Sequence, residues 1–544
     1  MSLPSCLLPR LPNSPETARL YSSAEIRAIE IGHAKSHPRV SLMQAAGEAV
    51  AALAINVMAR RKDKKRVLIL AGPGNNGGDA WVAARALQAR KIPVLVWALG
   101  EQKFADLAAK KAHTAYLKAR GPIARKRPPE KTFVAIDLII DGIFGIGLAR
   151  SPSGEFADAI SAANQHRERT GAPILAIDVP SGLSADSGHA PGESIRADIT
   201  LTFLGLKPGL YTADGCDCCG EIHLETLGVS PPSSRGELLN RERAAALIPQ
   251  RRRNSHKGSY GNVAIIGGAA GMVGAAVLAA RAALHMGPGK VYLGLAAEKA
   301  MTFDAINPEI MLRPAKSLAN ESAISSITAM AIGMGLGGDK QATRLLKTAL
   351  KQQRPIVIDA DALNLVASNP SIGALLEAYA AKHRANAGPQ AILTPHPGEA
   401  ARLLKTTAAK VQHDRIGCAL KLATGFNCVV VLKGAGTVIA TPDGRYLVNI
   451  SGNPGMASGG MGDALSGMIA AFLAQGMKAF DAAQLGVYLH GAAADACLLH
   501  GMAPLGLTAS EVIFEARTLL NSDLEDHHVE DHHEGNHQDI HDRQ

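Results

Sequence analysis

Short runs of Ile, Val and Leu alternate with helix-like segments in two separate series, and this alternation constrains the fold more than any other feature. In the first series we predict strands at 67–71, 94–98, 133–141, 174–179 and 199–204. In the second we predict strands at 263–267, 291–296, 331–335, 356–361, 391–395 and 429–434. Branched apolar runs of this length are typical of strands buried on both faces. The sequence therefore predicts an α/β protein with two parallel sheets.

Chain length supports two domains, because 544 residues exceed what one hydrophobic core usually organises. Between the two series, segment 228–257 is rich in Pro, Ser and Arg, and we place the boundary near residue 235. The predicted domains are 1–235 and 236–521, with a helical segment at 23–59 before the first sheet. Beyond residue 521 the apolar pattern ends, so we predict that 522–544 forms a disordered tail rich in His and acidic residues.

Composition argues against several classes of protein. The net charge of +9 does not come with a basic stripe or base-reading aromatic residues, so no nucleic-acid partner is expected. Neither a signal peptide nor an apolar run of about 20 residues is evident, and we expect a cytoplasmic protein without a membrane partner. The seven cysteines are expected to be reduced. The C-x-C-C cluster at 216–219 lacks the second pair of ligands that a zinc site needs.

The first glycine-rich turn lies in the segment RVLILAGPGNNGGDAWVAARAL. Its glycines satisfy G-x-G-x-x-G, a weak dinucleotide fingerprint, at Gly72, Gly74 and Gly77. The helix that follows offers free backbone N–H groups to a phosphate. Asn75, Asn76 and Asp79 add side-chain oxygens to the same turn. These oxygens indicate a cation or a polar substrate in addition to a pyrophosphate.

Two further strand ends in the first half carry polar residues. Asp137 lies inside the predicted strand 133–141, and Asp141 ends that strand before the glycine-rich segment GIFGIGLAR. Asp178 ends the next strand and is followed closely by Ser181. Any one of these residues alone is more simply a helix cap or a turn residue. Ligands bind at the carboxyl ends of parallel strands, however, so the three turns together predict one site.

The motifs of the first half resemble the NAD(P)H-hydrate epimerase domain, and the resemblance covers nearly all of 23–229. They are GPGNNGGD, D-x-x-x-D-G-I-F-G-x-G, DVPSGL-x-A-D-x-G and TFLGLKPGL. The resemblance implies a Rossmann-like three-layer α/β fold. It implies that the damaged dinucleotide is held by Asn75, Asn76, Gly77, Gly78, Asp79, Gly142, Ile143, Phe144, Gly145, Ile146, Gly147, Leu148 and Asp178. It also implies that K⁺ is bound by Asn76, Asp137 and Ser181, and makes Asp178 our candidate for the acid/base group.

The first half departs from the epimerase pattern at four positions. Ala80 and Trp81 follow the NNGGD segment, where the family pattern has Gly and a small aliphatic residue. Gly142 and Ile146 replace the expected Ala and Thr. The polar residues are intact, so the departures concern the shape of the pocket.

A second glycine-rich segment, NPGMASGGMGDALSGMIAAFLAQG, lies near the C-terminus and predicts a helix that begins near Asp463. Gly459, Gly460 and Gly462 place bare backbone N–H groups at its N-terminus, which suits a transferring phosphoryl group. Asp463 lies beside them, where it could accept a hydroxyl proton. The chain contains no G-x-x-x-x-G-K-[ST] segment, so this is not a P-loop.

Two more segments of the second half place polar residues at strand ends. VVVLKGAGTVIA predicts two strands around Lys433, which is either a surface group or a nucleotide-phosphate contact. LTPHPGEAARLL predicts a strand followed by a helix, with His396 between them. His396 is either a helix cap or a substrate contact.

Together these segments resemble the ribokinase-like superfamily and, within it, the ADP/ATP-dependent NAD(P)H-hydrate dehydratases. The motifs HKGSYGNVAIIGG, DADALN, TPHPGE, LKGAGT and GNPGMASGGMGD occur in the family's order across 239–519. The resemblance implies that the hydrate contacts Ala275, Gly335, His396 and Asp463. It implies that ADP or ATP, with Mg²⁺, contacts Lys433, Gly434, Ala435, Gly436, Thr437 and Gly462. Met461 stands where Thr is more usual, and Pro288 and Lys290 depart from the usual G-A-G-L turn.

The two resemblances together imply a bifunctional enzyme that repairs hydrated NADH and NADPH (NADHX and NADPHX). The R and S hydrates would be epimerised and the S-hydrate dehydrated at the expense of a nucleotide, releasing NAD(P)H, phosphate and, from ADP, AMP. A homo-oligomer is expected. Three alternatives remain: a small-molecule kinase with a fused binding domain, a catalytically inactive dinucleotide sensor, and an NAD-dependent dehydrogenase. The dehydrogenase lacks a clear acidic residue at the end of its second strand.

Overall fold

The computed structural model describes residues 18–59, 66–102, 104, 106–148, 150–320, 326–384 and 390–533, with side chains after Ser522 and at 383–384 left out. The chain forms two compact units: the first runs to Leu238 and includes Gln412–Asp414, and the second comprises Leu239–Val411 and the chain from Arg415 onward. Both units are α/β, as the sequence predicts.

The first unit contains an open sheet with helices on both faces. Its elements are β1 (Arg19–Leu20), α1 (Ser23–Ser36), α2 (Leu42–Ala59), β2 (Val67–Ala71), α3 (Asn75–Ala89), β3 (Val94–Ala98), α4 (Leu107–Lys118), β4 (Ile123–Ala124), α5 (Glu130–Phe133), β5 (Leu138–Gly142), α6 (Glu155–Thr170), β6 (Ile174–Ile177), β7 (Ile199–Phe203), α7 (Gly215–Cys218), β8 (Glu221–Glu225) and β9 (Gly236–Leu239). The sheet runs in the order β4-β3-β2-β5-β6-β7-β8, and its strands are parallel. Val67 of β2 is level with Val94 of β3 and Leu138 of β5.

Each face of this sheet has its own apolar core, because successive strand residues point to opposite faces. Val67 and Ile69 of β2 pack with residues of α2 and α3, whereas Leu68 and Leu70 pack with residues of α6. Burying each such side chain contributes roughly 1.5–3 kcal/mol. The result is the three-layer arrangement that the sequence predicts.

Helix α2, Leu42–Ala59, is long and apolar enough by length and composition to cross a membrane. In this unit its residues Val50, Ala51 and Ala54 are fully buried and belong to the core on one face of the sheet. Packing against α3 therefore accounts for the apolar face of the helix.

The second unit contains a larger sheet with helices packed on its faces. Its elements are α8 (Arg241–Ala245), β10 (Asn262–Gly267), α9 (Val273–His285), β11 (Lys290–Leu295), β12 (Met311–Pro314), α10 (Ala315–Ala319), β13 (Ala329–Ile332), α11 (Lys340–Lys351), β14 (Ile356–Ile358), α12 (Ala360–Ser368), α13 (Pro370–Arg384), β15 (Ala391–Leu393), α14 (Pro397–Leu403), α15 (Ala408–His413), α16 (Arg415–Phe426), β16 (Val429–Leu432), β17 (Val438–Ala440), β18 (Tyr446–Asn449), α17 (Met461–Ala474), α18 (Ala479–Leu499) and α19 (Ala509–His533). The order β12-β11-β10-β13-β14-β15-β16 is parallel, and β17 and β18 follow in antiparallel pairing.

Helix α17 lies in the centre of one face of this sheet and packs closely on α9. A Cβ at Gly467 of α17 would lie 2.0 Å from the carbonyl oxygen of Ala279 in α9, so only glycine allows this approach. Nearly every residue of α17 after its first turn is buried. The helix is thus rigidly held with its N-terminus at the carboxyl ends of the strands.

Two features differ from the sequence-based expectations. Residues 130–133 form the short helix α5 after Pro128 and Pro129, and β5 begins only at Leu138, so the predicted strand 133–141 starts too early. The sequence predicts disorder from residue 522, whereas the backbone of helix α19 is helical to His533. Adding residues to a formed helix costs less than starting one, which accounts for this extension. Residues 534–544 lie outside the described part of the chain.

Candidate active sites

The first candidate site lies where β2, β5 and β6 end, as the sequence predicts for three glycine-rich turns. The turn after β2 is held by the N–H of Gly72, which donates to the carbonyl of Gly142 at 3.1 Å. Helix α3 begins at Asn75 directly after this turn. A Cβ at Gly77 would lie 1.9 Å from the carbonyl oxygen of Gly72, so the tight turn requires glycine there. Gly78 is buried in the same first helical turn.

A chain of polar contacts connects the three turns. The Ser181 hydroxyl donates to Oδ1 of Asp141 at 2.6 Å, and the backbone N–H of Ser181 donates to Oδ2 at 2.8 Å. The backbone N–H of Phe144 donates to Oγ of Ser181 at 2.9 Å, and Nδ2 of Asn76 donates to the carbonyl of Phe144 at 2.9 Å. Asp141 and Ser181 are fully buried, and burial raises the pKa of Asp141 to about 6. Asn76 and Ser181 are thus brought together with Asp141, which the sequence places at a strand end of the predicted site but does not assign as a K⁺ ligand.

Asp137 does not join this site, and its prediction as a metal ligand is wrong. Asp137 precedes β5, and its Oδ2 accepts a hydrogen bond from the backbone N–H of Arg66 at 3.0 Å. Arg66 precedes β2, so both residues lie at the amino ends of their strands. The late start of β5 is the reason, because the strand begins only at Leu138 and leaves Asp137 at its amino end.

Asp178 is placed at this site in an unusual backbone conformation. Its φ is +65°, in the left-handed region that non-glycine residues rarely occupy. Its Oδ1 accepts from Nζ of Lys207 at 2.5 Å, and more weakly from the hydroxyl of Thr202 and the N–H of Phe203. Lys207 is fully buried and also donates to Oγ1 of Thr202 and the carbonyl of Phe203. Sequence reasoning missed Lys207, although a lysine inside the apolar motif TFLGLKPGL was an available signal.

The other carboxylate oxygen of Asp178 faces the predicted substrate loop. A Cβ at Gly145 would lie 3.4 Å from Oδ2 of Asp178 and 3.2 Å from Oδ1 of Asn76. The loop residues Ile143, Ile146, Gly147 and Leu148 follow β5 around this point, with Ile143 buried. Gly145 therefore lies between two side chains that the sequence selected independently.

Helix α1 adds two residues that sequence reasoning missed. Nη2 of Arg27 donates to the carbonyl of Ile146 in the substrate loop at 3.3 Å. Glu30 lies one turn later, where burial and the charge of Asp178 raise its pKa. Burial, and then the charges of Asp178 and Glu30, also raise the pKa of Asp79 well above its usual value. The site thus holds carboxyl groups that favour the protonated form.

Two of the four departures from the epimerase pattern are compensated in space. A Cβ at Gly142 would lie 2.6 Å from Cβ of Ala80, so the methyl group expected at position 142 is present at position 80 instead. Trp81 is fully buried against the rings of His113 and Tyr116, with ring centroids 4.7 and 5.5 Å away. Its indole therefore fills the core beside α3 and α4.

The second candidate site lies at the N-terminus of α17. Gly460, the residue before the helix, has φ +91°, and Met461 and Gly462 open the first turn. A Cβ at Gly462 would lie 3.2 Å from Nζ of Lys433. A lysine ammonium thus lies beside the bare backbone N–H groups that the sequence predicts as an anion hole.

Lys433 is held in this position by a buried carboxylate. Its Nζ donates to Oδ1 of Asp359 at 2.8 Å, and Oγ of Ser466 donates to Oδ2 at 2.7 Å. Asp359 is 1% exposed and Ser466 is fully buried. Asp359 is the first residue of the DADALN motif, but its pairing with Lys433 could not be read from that motif.

Asp463 lies in the first turn of α17, as predicted. Burial, and then the negative charge of Asp359, raises its pKa to about 6. His490 of α18 is 6% exposed; burial, and then the charge of Lys433, lowers its pKa to about 4. A carboxyl group that titrates near neutrality, beside an anion hole, suits acid–base work.

The side chain of Arg415 stabilises the predicted nucleotide loop, Lys433 to Thr437. This fully buried guanidinium donates through Nη2 to the carbonyls of Leu432, Lys433 and Gly436 at 3.2–3.3 Å. Gly434 and Gly436 have φ of +134° and +63°, which require glycine, and Ala435 lies between them.

The remaining predicted hydrate contacts lie at neighbouring strand ends. Gly335 follows β13, and its Cβ position lies 3.2 Å from Cβ of Ala275 in α9, so these two are brought together. His396 caps α14 by accepting from the N–H of Gly398 at 3.0 Å and is half-exposed. Burial, and then the charge of Lys433, lowers the pKa of His396. The capping role considered from the sequence is thus present, and its exposed side remains available to a ligand.

Among the described residues, no group of three or more His, Cys, Asp or Glu side chains is arranged to hold a metal ion. The six described cysteines are free thiols, and burial raises the pKa of Cys218 and Cys219. The K⁺ ligands predicted from the sequence are Asn76, Asp137 and Ser181, a set with only one carboxylate, which is a different donor set.

Comparison with known proteins identifies relatives of both units. Residues 39–209 match the family described as YjeF-related protein N-terminus, and residues 263–515 match NAD(P)H-hydrate dehydratase. The bifunctional NAD(P)H-hydrate repair enzyme Nnr of Escherichia coli (strain K12) is 37% identical over 471 residues, covering 85% of this chain and 87% of that protein. The enzyme of the same name from Coxiella burnetii is 36% identical over 509 residues, covering 92% and 99%. A crystal structure of the ADP/ATP-dependent NAD(P)H-hydrate dehydratase from Bacillus subtilis, co-crystallised with ATP and Mg²⁺, is 30% identical, with a TM-score of 0.45, and covers 53% of this chain and 98% of that one.

Proposed function

This chain belongs to the family of bifunctional NAD(P)H-hydrate repair enzymes, and on that premise we propose how its two units share the repair of hydrated NADH and NADPH. The first unit, assigned to residues 1–235, interconverts the R and S hydrates. The second, assigned to residues 236–521, dehydrates the S-hydrate and consumes ADP or ATP. The enzyme is accordingly an isomerase and a lyase. The observation that carries the proposal is Asp463, placed beside bare N–H groups and the Lys433 ammonium at the start of α17.

Epimerisation requires a bond at ring carbon six of the hydrate to break and re-form, so a proton must be delivered and removed nearby. Asp178 is assigned this role because Lys207 occupies Oδ1 and leaves Oδ2 toward Gly145. Asp79, whose pKa burial raises well above its usual value, is assigned as its partner in proton transfer. A pair of carboxyl groups in one site is a familiar basis for acid–base work.

The K⁺ assignment is revised by the position of Asp141. This carboxyl group is fully buried and accepts only from neutral donors, so a cation beside it would offset the cost of burying its charge. Asn76, Asp141 and Ser181 offer the hard oxygen atoms that such a cation prefers. When bound, K⁺ would supply a fixed positive charge next to the substrate loop.

Dehydration needs a better leaving group than hydroxide. Phosphoryl transfer from ADP or ATP to the hydrate hydroxyl, with Asp463 accepting the hydroxyl proton, converts the leaving group to phosphate. The ring nitrogen then expels phosphate and restores NAD(P)H, and ADP is left as AMP. The backbone N–H groups of Gly462 and its neighbours, with the Lys433 ammonium, stabilise the charge of the transferring group.

Mg²⁺ is assigned to the nucleotide phosphates. This ion keeps several waters and usually needs only one or two carboxylates, so a cage of three side chains is not required. When bound, it would screen the charge of the phosphates.

We also propose a cytoplasmic enzyme that forms homo-oligomers and has neither a nucleic-acid nor a membrane partner. The lack of a basic stripe with base-reading aromatic residues in the sequence supports the first exclusion. The buried face of α2 supports the second.

The test is to incubate separated R and S hydrates with the protein, K⁺, Mg²⁺ and either ADP or ATP, and to follow each epimer by chiral chromatography. We expect epimer exchange without nucleotide, and recovery of NAD(P)H absorbance only with it. Nucleotide consumption in the absence of hydrate, with another hydroxyl compound as acceptor, would favour the kinase alternative.

A further inference from the structure

We propose that Asp359 is a positioning residue for phosphoryl transfer, which together with Ser466 holds the Lys433 ammonium at the anion hole of α17. This inference rests on the proposed dehydratase function. It assigns a role to Asp359 and Ser466, two buried residues that act on the substrates through Lys433.

Both carboxylate oxygens of Asp359 already accept hydrogen bonds inside the protein. Oδ1 accepts from Lys433 at 2.8 Å and Oδ2 accepts from the Ser466 hydroxyl at 2.7 Å. The Ser466 hydroxyl lies 3.4 Å from that of Thr394, which is fully buried as well. Asp359 is 1% exposed, so it acts through its neighbours and is not a ligand contact.

The pairing with Asp359 places the Lys433 ammonium beside the start of α17. A Cβ at Gly462 would lie 3.2 Å from Nζ of Lys433 and 4.0 Å from Oδ2 of Asp359. The lysine is thus fixed beside the second residue of α17, at the positive end of the helix. A lysine side chain is flexible and bears a point charge, so an anchoring carboxylate is what gives it a defined position. Charges that are positioned in advance stabilise a transferring phosphoryl group without reorganisation.

Several charged and titratable groups face the pair of Asp359 and Lys433. Burial alone would lower the pKa of Lys433, but Asp359 at the end of β14 and Glu399 of α14 raise it. Lys433 in turn faces His396 and His490.

Asp463 faces the same pair from the first turn of α17. The charged groups that act on it are Asp359, Lys433 and Asp361, and its pKa is raised to about 6. Replacing Asp359 with Asn removes a negative charge near Asp463 and leaves the positive charge of Lys433 uncompensated. Both changes favour the carboxylate form of Asp463, so both lower the pKa of Asp463.

The test compares Asp359→Asn, Ser466→Ala, Lys433→Met and the Asp359→Asn/Lys433→Met double variant in the full chain. We expect Asp359→Asn to lower the kcat of S-hydrate dehydration by about 100-fold, with KM for the hydrate changed less than about threefold. The acid limb of the pH–rate profile should move down by about one pH unit. Ser466→Ala, which keeps the ion pair, should lower kcat by about tenfold. Because Asp359 acts through Lys433, its replacement should have little further effect in the Lys433→Met background.

Asp443→Asn, an exposed carboxylate in the turn between β17 and β18, is the matched control and should change neither kcat nor the acid limb. Epimerase activity of the same samples reports the integrity of the first unit. The proposal is overturned if Asp359→Asn and Ser466→Ala keep wild-type kcat, if the acid limb stays in place, or if the double variant is additive. If the proposed function itself is wrong, the wild-type chain shows no nucleotide-dependent dehydration, and this result distinguishes the two failures.

Discussion

Nζ of Lys207 lies 2.5 Å from Oδ1 of Asp178, and this buried ion pair joins the loops after β6 and β7 at the first candidate site. Asp178 is held in a left-handed backbone conformation, which Asn tolerates better than most residues. Asp178→Asn should therefore keep the backbone conformation of the loop, while it removes the proposed acid–base carboxylate and the negative charge opposite the buried Lys207 ammonium.

Asp178→Asn should reduce epimer exchange by at least about 100-fold, because the proton acceptor is lost. Chiral chromatography of each hydrate epimer measures the effect. Nucleotide-dependent dehydration of purified S-hydrate should be unchanged in the same sample. Asp217→Asn, at an exposed position on α7, serves as the control. Unchanged exchange in Asp178→Asn would remove Asp178 from the mechanism.

The pH dependence of dehydration should report Asp463. The reaction needs its carboxylate form, and the pKa of this group is raised to about 6. At saturating nucleotide, kcat/KM for the S-hydrate should be flat above about pH 7 and fall about tenfold per unit below pH 6. Asp463→Ala should stop turnover while hydrate binding is nearly retained. An acid limb near pH 4, where an unperturbed Asp titrates, would contradict this account.

A methyl group lies at Ala80 instead of at position 142. Substitutions at these two positions should therefore have coupled effects on the free energy of unfolding. Gly142→Ala should lower the free energy of unfolding by about 1–3 kcal/mol, because its Cβ would overlap that of Ala80. The double variant Ala80→Gly/Gly142→Ala should recover at least about 1 kcal/mol of the summed single losses. Urea unfolding followed by tryptophan fluorescence measures this, since the chain's two tryptophans, Trp81 and Trp97, are both in the first unit. Additive losses would show that the two methyl positions do not compensate.

The ion pair of Asp304 and Arg281 should stabilise the second unit. Asp304 is fully buried and accepts two hydrogen bonds from Arg281 at 2.7 and 2.8 Å, which lower its pKa to about 2. A folded-state pKa below the unfolded value means that the contribution is complete above about pH 4 and lost as the pH falls toward 2. A shift of this size corresponds to about 2 kcal/mol.

Asp304→Asn at pH 7 should therefore shift the urea midpoint for loss of dehydratase activity to lower concentration. The fluorescence transition of the first unit is the internal control and should not move. An unchanged midpoint at pH 7 would show that the pair adds no net stability.

Removal of the tail after Ser522 should leave both activities unchanged. The buried apolar residues described in α19 are Ala509, Val512, Ile513 and Ala516, all well before that point. Both activities of the truncated chain are measured against the full chain at equal concentration. A loss of more than about threefold in either one would assign the tail a role in the fold or the assembly.

Local sequence was sufficient for the features that depend on local chemistry. Runs of Ile and Val predicted β2, β10 and β16, because such strands are buried on both faces. Glycine-rich turns predicted where phosphate-binding backbone is exposed, and the ordered motifs predicted the family. Asp463 was placed at the start of a helix from its four-residue apolar repeat, which the structure confirms within two residues.

Features that depend on distant parts of the chain were decided only by the tertiary structure. The start of β5 determined that Asp141, and not Asp137, reaches the carboxyl edge of the sheet. Lys207 meets Asp178 across 29 positions, and Lys433 meets Asp359 across 74. A buried charge needs a partner wherever the fold supplies one, and no short-range pattern says which residue that is. The sequence thus determined the strands, the turns and the family, whereas packing decided which charges face each other.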